Sequence, residues 1–179
     1  MNMKTSYDPI SKLLHWLIFV LIGMEFLIAG IMPEIRRATS PTELVSFHFS
    51  FGLFILAVII IRTLWRLTHR PPALPSDMSP FMKFLATAMH NALYAVLIVM
   101  PFAGWAWASY RGWEISFFGL FTVPPIVAAG SSIGRTLATV HSGLGALLVT
   151  LIGLHILAAL YHHYVVKDDI LTRMLPNKK

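Results

Sequence analysis

The sequence predicts an all-α membrane protein, a bundle of four transmembrane helices. The chain has 179 residues, of which 56% are hydrophobic and 12% are charged, and a soluble domain carries about twice that charged fraction. The mean hydropathy is +0.70. The apolar residues also form four long blocks, each close to the ~20 residues that a helix needs to cross the hydrocarbon core of a bilayer.

The four blocks predict helices over residues of about 13–32, 47–64, 88–109 and 137–165. The first block is not expected to be a signal peptide, because it lacks a small-residue cleavage site and the charged stretch PEIRR follows at once. The loop before the fourth block is apolar and aromatic (WEISFFGLFTVPP), so we expect it to lie on or dip into the outer interface. With no internal repeat and no soluble domain, residues 1–179 are expected to form one four-helix domain.

The lysines and arginines predict the orientation of the helices. Ten of the 14 fall on the side that carries both chain ends: Lys4, Lys12, Arg62, Arg66, Arg70, Lys83, Lys167, Arg173, Lys178 and Lys179. The remaining four fall on the other side: Arg36, Arg37, Arg111 and Arg135. Positive charge concentrates at the cytoplasmic ends of transmembrane helices. Both termini are therefore expected in the cytoplasm. The net charge of +6 could indicate a nucleic-acid partner, but the basic residues flank apolar spans, so contact with membrane lipid is expected and no nucleic-acid partner.

The chain contains no cysteine. This excludes disulfides, thiolate metal sites, iron–sulfur clusters and covalently attached c-type haem. The sequence also shows no nucleophile beside a base, no acid–base pair and no phosphate-binding loop. The chain does contain eight histidines, several of which fall within the apolar blocks.

Four histidines fall at two depths of the predicted bundle. In the last block, His155 follows His141 by 14 residues. That spacing returns a helix to within about 40° of the same face and advances it by roughly 21 Å. His48 lies at the outer end of the second block and His15 at the inner end of the first. The pairs expected to meet are therefore His48 with His141 and His15 with His155.

Two facing imidazole pairs at two depths predict two bis-histidine haems, one in each leaflet. Haem iron takes axial nitrogens from opposite faces of a flat ring that is wedged between helices. Small residues would let that ring approach the backbone, and the candidates are Gly52, Gly143, Gly145 and Gly153. A single zinc or copper ion is disfavoured, because its ligands must lie close to one another. For any one of these histidines, the alternative is a polar contact between helices.

The other ionisable residues in or near the blocks carry weaker signals. His69 and His163 are interpreted as interfacial side chains, whereas His162 continues the stripe of His141 and His155 toward the inner haem region. His90 begins the third block and could be interfacial or could line a site. Glu25 lies in the middle of the first span. A buried hydrogen bond is the preferred interpretation for Glu25, and proton handling is the alternative.

These residues resemble the bacterial di-haem cytochrome b561 family, small four-helix membrane proteins, over essentially the whole chain. The matches begin with KLLHW at 12–16 and with His48 followed by Gly52. They continue in the outer loop with RGW at 111–113, FGL at 118–120 and Pro124. The most specific matches are His141, GLH at 153–155, HHY at 162–164, KD at 167–168, Leu171 and RMLP at 173–176. The same histidine geometry also occurs in the cytochrome b subunits of membrane formate dehydrogenases and hydrogenases.

The resemblance implies two b haems with axial ligands on helices one, two and four, the helices that carry the pairs above. His15 and His155 would hold the cytoplasmic-side haem, and His48 and His141 the periplasmic-side haem. It further implies a multi-pass protein of the bacterial inner membrane that moves electrons from a periplasmic donor to quinone. For the small stand-alone members it implies superoxide:ubiquinone oxidoreductase activity, with superoxide oxidised at the outer face and ubiquinone as electron acceptor.

The resemblance also implies His162 and Lys167 as candidates for the quinone site beside the inner haem. Either side chain could hydrogen-bond a quinone carbonyl or pass it a proton, because quinol formation consumes protons. The alternative is that both are interfacial side chains that extend toward water.

Arg111 and Arg135 are the candidates for steering superoxide toward an outer haem edge by their positive charge. Arg111 matches the outer loop of the family, and Arg135 precedes His141 by six residues. The alternative is that these arginines contact lipid phosphates. Arg36 and Arg37 match no motif and receive no role.

Two other functions are compatible with parts of the pattern. One is a cytochrome b subunit that anchors a partner redox protein and passes electrons between that protein and the quinone pool; the short loops offer it little docking surface. The other is a helical bundle without haem, such as a small transporter. That class predicts several polar residues converging near the midplane, where only Glu25 is found.

Overall fold

The computed structural model describes residues 6–33 and 40–176. In these ranges four helices are long and apolar enough to cross a membrane, which confirms the predicted fold class. They are α1 (Pro9–Ile31), α2 (Glu43–Thr68), α3 (Pro80–Tyr110) and α4 (Ser132–Tyr161). Five of the basic residues used to predict the orientation lie outside the described residues: Lys4, Arg36, Arg37, Lys178 and Lys179. The cytoplasmic location of the termini stays a prediction.

Each helix begins several residues before the apolar block that predicted it, because polar capping residues start the helices. Asp8, Thr42 and Ser79 cap α1, α2 and α3, and each side chain accepts a hydrogen bond from the backbone N–H three residues further on. Such caps satisfy backbone donors that the first helical turn leaves unpaired. Apolar patterning therefore marks only the part of each helix that faces lipid or the core.

Asp8 also joins the start of α1 to α2. Its Oδ1 accepts the indole N–H of Trp65 at 3.1 Å, besides the backbone N–H of Ser11 at 2.9 Å. Burial acts to raise the pKa of Asp8, but the hydrogen bonds from Ser11 and Trp65 outweigh it and hold that pKa below its ordinary value. Asp8 is therefore a charged cap at neutral pH, favourably placed at the positive end of the α1 dipole.

The helices pack in chain order, α1 on α2, α2 on α3 and α3 on α4. The buried core lies among them, with Ile18, Ile55, Ile59, Val96 and Leu148 at its centre. Among the described helices, α4 packs closely only against α3 and stands off from α1 and α2. This arrangement leaves space between α4 and the first two helices.

The outer loop contains a β-hairpin of β1 (Ile115–Phe117) and β2 (Phe121–Val123). Ser50 of α2 fixes the hairpin, since its hydroxyl accepts the Phe118 N–H at 2.9 Å and lies 3.1 Å from the Ser116 carbonyl. Phe118 and Gly119 both have positive φ, 49° and 74°, as the tight turn of a hairpin requires. The bond to Ser50 helps to hold Phe118 in that strained conformation.

The chain after α4 folds back under the inner end of α1. A π-helical turn (His162–Val166) is followed by a 3₁₀ turn (Thr172–Met174). The Met174 carbonyl accepts the indole N–H of Trp16 at 3.0 Å, and the Arg173 carbonyl accepts the Tyr7 N–H at 3.2 Å. The tail therefore fixes the segment of α1 that carries His15.

We predict that Ser50→Ala lowers the free energy of unfolding by about 1–3 kcal/mol, because the Phe118 N–H loses its partner in apolar surroundings. Thermal unfolding of the detergent-purified protein measures the loss, and limited proteolysis reports loosening of the outer loop. The matched control is Ser46→Ala, one turn earlier, where an exposed hydroxyl bonds only to the Thr42 carbonyl. Equal stability of the two variants would contradict the prediction.

Candidate haem-binding site

The two outer histidines face each other across the space between α2 and α4. The ring centres of His48 and His141 are 6.0 Å apart, and their planes are perpendicular. The Nδ1–H of His141 donates to the Met100 carbonyl at 2.9 Å. Nδ1 of His48 lies 3.2 Å from Oε1 of Glu25 on α1. In both rings Nδ1 lies within 3.2 Å of a protein oxygen, which leaves Nε2 for another partner.

The inner histidines form a corresponding pair between α1 and α4. The ring centres of His15 and His155 are 6.2 Å apart. A third imidazole joins them, since the His90 ring on α3 lies 5.3 Å from that of His155. The Nδ1–H of His90 donates to the Ala86 carbonyl at 2.6 Å, so its Nε2 is also available. His90 therefore lines the inner site, one of the two positions that the sequence had left open for it.

A cavity of about 320 Å³ lies at the outer pair. Its walls are almost entirely apolar and come from all four helices and from Ile115 of the hairpin. Both histidines, Glu25 and two of the predicted glycines line it, the latter being Gly52 and Gly145. Apolar clefts or cavities of roughly 300–1,000 Å³ with a few convergent polar groups are typical of cofactor sites.

One glycine that the sequence analysis did not single out determines how close α3 comes to the outer pair. A Cβ at Gly104 would lie 2.9 Å from Cε1 of His141, closer than real Cβ contacts. In contrast, a Cβ at Gly143 or Gly153 would meet nothing within 4 Å. Gly104 therefore lets the Cε1–Nδ1 edge of the His141 ring approach the backbone of α3 closely.

These residues fit b-type haem. A metal–imidazole bond is about 2 Å long, so two axial imidazoles on one ion have ring centres about 6 Å apart, close to the separation in both pairs. The orientation of His141, with Nδ1–H on a backbone carbonyl, is the usual one for a metal-bound histidine. Among residues 6–33 and 40–176, no group of three or more histidine or carboxylate side chains converges as a compact metal site requires.

Comparison with known sequences agrees with this chemistry. The sequence model described as prokaryotic cytochrome b561 matches residues 6–177. The chain belongs to the prokaryotic cytochrome b561 family. It is therefore a bacterial membrane protein of a family that carries b-type haem and transfers electrons. Family membership confirms the resemblance that the sequence motifs indicated.

Three relatives match this chain over nearly its full length. The protein named "Probable superoxide oxidase CybB" from Yersinia pestis is 34% identical over 99% of both chains. "Cytochrome b561 homolog 2" from Escherichia coli K12 is 31% identical, over 97% of this chain and 93% of its own. "Cytochrome b561 homolog 1" from the same organism is 28% identical, over 93% and 94%.

The residues predicted for the quinone site lie in the π-helical turn after α4. Nδ1 of His162 lies 2.5 Å from Oδ2 of Asp168, and Oδ1 of the same carboxylate accepts the Ile170 N–H at 3.1 Å. Lys167, which lies between these two residues in the sequence, is exposed and has a φ of 62°. The sequence analysis did not predict the contact of Asp168 with His162, because only the change from a regular helix to a π turn brings the two side chains together. Such turns are frequent at functional sites.

The two outer arginines lie at the ends of helices that line the cavity. The Arg111 guanidinium lies 4.8 Å from the ring centre of Trp113. Nε of Arg135 donates to the Tyr110 hydroxyl at 3.4 Å, near the limit for a hydrogen bond. Because Tyr110 directly precedes Arg111, both cations lie near the outer end of α3.

We predict that Gly104→Ala lowers the haem-to-protein ratio of the purified protein. The added methyl group displaces the His141 ring and breaks its hydrogen bond to the Met100 carbonyl. Absorbance of the reduced haem against protein concentration measures the ratio. Gly143→Ala is the matched control, because its Cβ meets nothing within 4 Å. A full haem complement in the Gly104 variant would show that this close contact is not required.

Proposed function

We propose that this protein is a superoxide:ubiquinone oxidoreductase of the bacterial inner membrane. Two superoxide anions would give up one electron each and leave as O₂, while one ubiquinone takes up two electrons and two protons. The observation that carries the proposal is the pair of facing imidazole sites at two levels of one bundle, with ring centres 6.0 and 6.2 Å apart. The similarity to a relative named as a probable superoxide oxidase favours superoxide as the donor.

The proposed axial ligands follow from the two pairs. His48 and His141 would hold the periplasmic-side haem, and His15 and His155 the cytoplasmic-side haem. When bound, each haem supplies a one-electron carrier without a proton of its own. The apolar walls exclude water, and the backbone carbonyl of Met100 fixes the orientation of His141. The two histidines of α4 separate the levels by roughly 21 Å along the helix axis.

At the outer face, Arg111 and Arg135 would raise the encounter rate of the superoxide anion by electrostatic attraction. Each guanidinium lies beside an aromatic side chain, Trp113 or Tyr110, near the outer end of α3. No deep pocket for superoxide is needed, since an electron can leave the anion once it approaches the edge of the carrier.

At the inner face, His162 would serve the quinone as hydrogen-bond donor and proton source. Asp168 holds Nδ1 of the imidazole, so Nε2 is left for the quinone oxygen. The carboxylate also stabilises the imidazole when it carries a second proton. Lys167 is exposed beside the pair and supplies positive charge where the reduced quinone gains negative charge.

The first experiment is optical and uses the detergent-purified chain. We expect a reduced-minus-oxidised spectrum of b haem with two haems for each chain. A superoxide-generating system should reduce the haems, and oxidised ubiquinone should reoxidise them. Superoxide dismutase should abolish the reduction.

Each other outcome excludes part of the proposal. Two haems that superoxide does not reduce would reject the oxidase activity and favour the cytochrome b subunit that serves a partner redox protein. One haem for each chain would reject one of the two axial pairs. A protein that cannot take up haem would reject the site assignment as a whole.

We predict that His162→Ala slows quinol formation by about 10²-fold, the contribution of a general acid. Reduction of the haems by superoxide should keep its rate, because His162 lies far from the outer face. Stopped-flow absorbance follows the two half-reactions separately. His163→Ala is the matched control, since its ring packs beside Tyr164 and does not contact Asp168. Equal rates in the two variants would exclude His162 from the quinone reaction.

A further inference from the structure

Glu25 is a buried carboxyl group in the middle of a transmembrane helix. Only 12% of its side chain is exposed, and Oε2 has no hydrogen-bond partner in the part of the chain that the structure describes. A carboxylate in this environment is costly unless it interacts with a partner, and such residues in membrane spans usually have a function. The proposed function uses the imidazole beside Glu25 but assigns nothing to the carboxylate.

Glu25 lies beside Nδ1 of His48, one of the proposed axial ligands. Oε1 lies 3.2 Å from Nδ1 of His48, and Nδ1 has no other partner among the described residues. The two atoms are within hydrogen-bond distance but not aligned, and a rotation of the imidazole about its soft χ2 angle would align them. Gly52 makes room for the carboxylate, since a Cβ there would lie 3.4 Å from Oε1.

The surroundings of the inner pair have the opposite charge. Among the described residues, no carboxylate forms a hydrogen bond or an ion pair with His15 or His155, whereas the Arg62 guanidinium is close enough to interact electrostatically with both. Arg62 is held in place by a hydrogen bond of 2.6 Å to the Ser11 carbonyl. A carboxyl group therefore lies at the outer pair and a guanidinium near the inner pair.

We propose that Glu25 is a positioning residue for the outer haem, which accepts the Nδ1–H of His48 and makes the outer site the one of lower reduction potential. A carboxylate hydrogen-bonded to a metal-bound imidazole fixes its orientation and increases its basicity. Both effects stabilise the oxidised form of the metal. This proposal rests on the proposed function, because it assumes that His48 is an axial ligand.

In this arrangement the positions of Glu25 and Arg62 in the fold set the direction of electron transfer. An electron that enters at the outer site would move to the inner site, where the Arg62 charge favours the reduced state. A hydrogen bond that only joins α1 to α2 would also explain the burial of Glu25, but that role does not require any effect on the potential. The reduction potential of the outer haem therefore separates the two roles.

The test is a redox titration of the full-length, haem-loaded protein carrying Glu25→Gln. Glutamine keeps the size and the acceptor oxygen but removes the charge. We expect the outer midpoint to rise and the inner midpoint to stay unchanged. A tenfold change in the ratio of oxidised to reduced haem corresponds to about 59 mV for a one-electron couple. The outer haem is identified as the signal that His141→Ala removes.

Glu43→Gln is the matched control, because Glu43 is an exposed carboxylate at the outer end of the helix that carries His48. It should leave both midpoints unchanged. Glu25→Asp, which retains the charge but retracts it from Nδ1, should raise the outer midpoint by less than Glu25→Gln. It also provides the measurement if the glutamine variant does not fold.

The outcomes separate this inference from the proposed function. A wild-type protein without two haems would overturn the proposed function and the inference together. Two haems whose midpoints stay unchanged in the Glu25 variants would overturn the inference alone. A rise of both midpoints by the same amount would also overturn it, because a general loosening of the bundle does not distinguish the two sites.

Discussion

The architecture depends on one constraint, the need of each buried imidazole for partners in a medium without water. In the bilayer an unpaired polar group costs several kcal/mol, so the histidines of α4 must face other protein groups. The Met100 carbonyl accepts the Nδ1–H of His141, and Oε1 of Glu25 lies 3.2 Å from Nδ1 of His48, which leaves each Nε2 for another partner. Because α4 packs closely against α3 and against no other of the four described helices, the space on its other side is available for a cofactor.

Different segments hold the helices around that space at the two ends of the bundle. At the outer end, Ser50 fixes the hairpin, and the hairpin brings Ile115 onto the cavity wall. At the inner end, the chain after α4 returns to α1, where the Met174 carbonyl binds Trp16 next to His15. The hairpin and the tail therefore connect segments that are distant in the sequence, and both contribute to the position of the imidazole pairs.

The proposed charge arrangement has an energetic meaning in a membrane. If both termini lie in the cytoplasm, as the sequence predicts, an electron that moves inward approaches the negative side of an energised membrane. One charge crossing the full potential corresponds to about 2.3 kcal/mol per 100 mV. A carboxylate at the outer pair and a guanidinium at the inner pair offset part of that opposition. The Glu25 and Arg62 charges would then act together, although they lie on different helices.

The sequence by itself determined the four spans and the depths of the histidines. The apolar blocks locate the spans, and the rise per residue of a helix converts the position of each histidine in its block into a depth. It therefore predicted that His48 would meet His141 and that His15 would meet His155, as the ring separations show. It placed the starts of the helices too late, since caps such as Asp8 are polar. Tertiary structure alone decided the lateral contacts: Glu25 on His48, Gly104 against His141, His90 beside His155, and Asp168 on His162. These contacts depend on the rotation of each helix about its axis and on a local π turn. The packing of the whole bundle sets both, so the depth of a residue along one helix does not predict them.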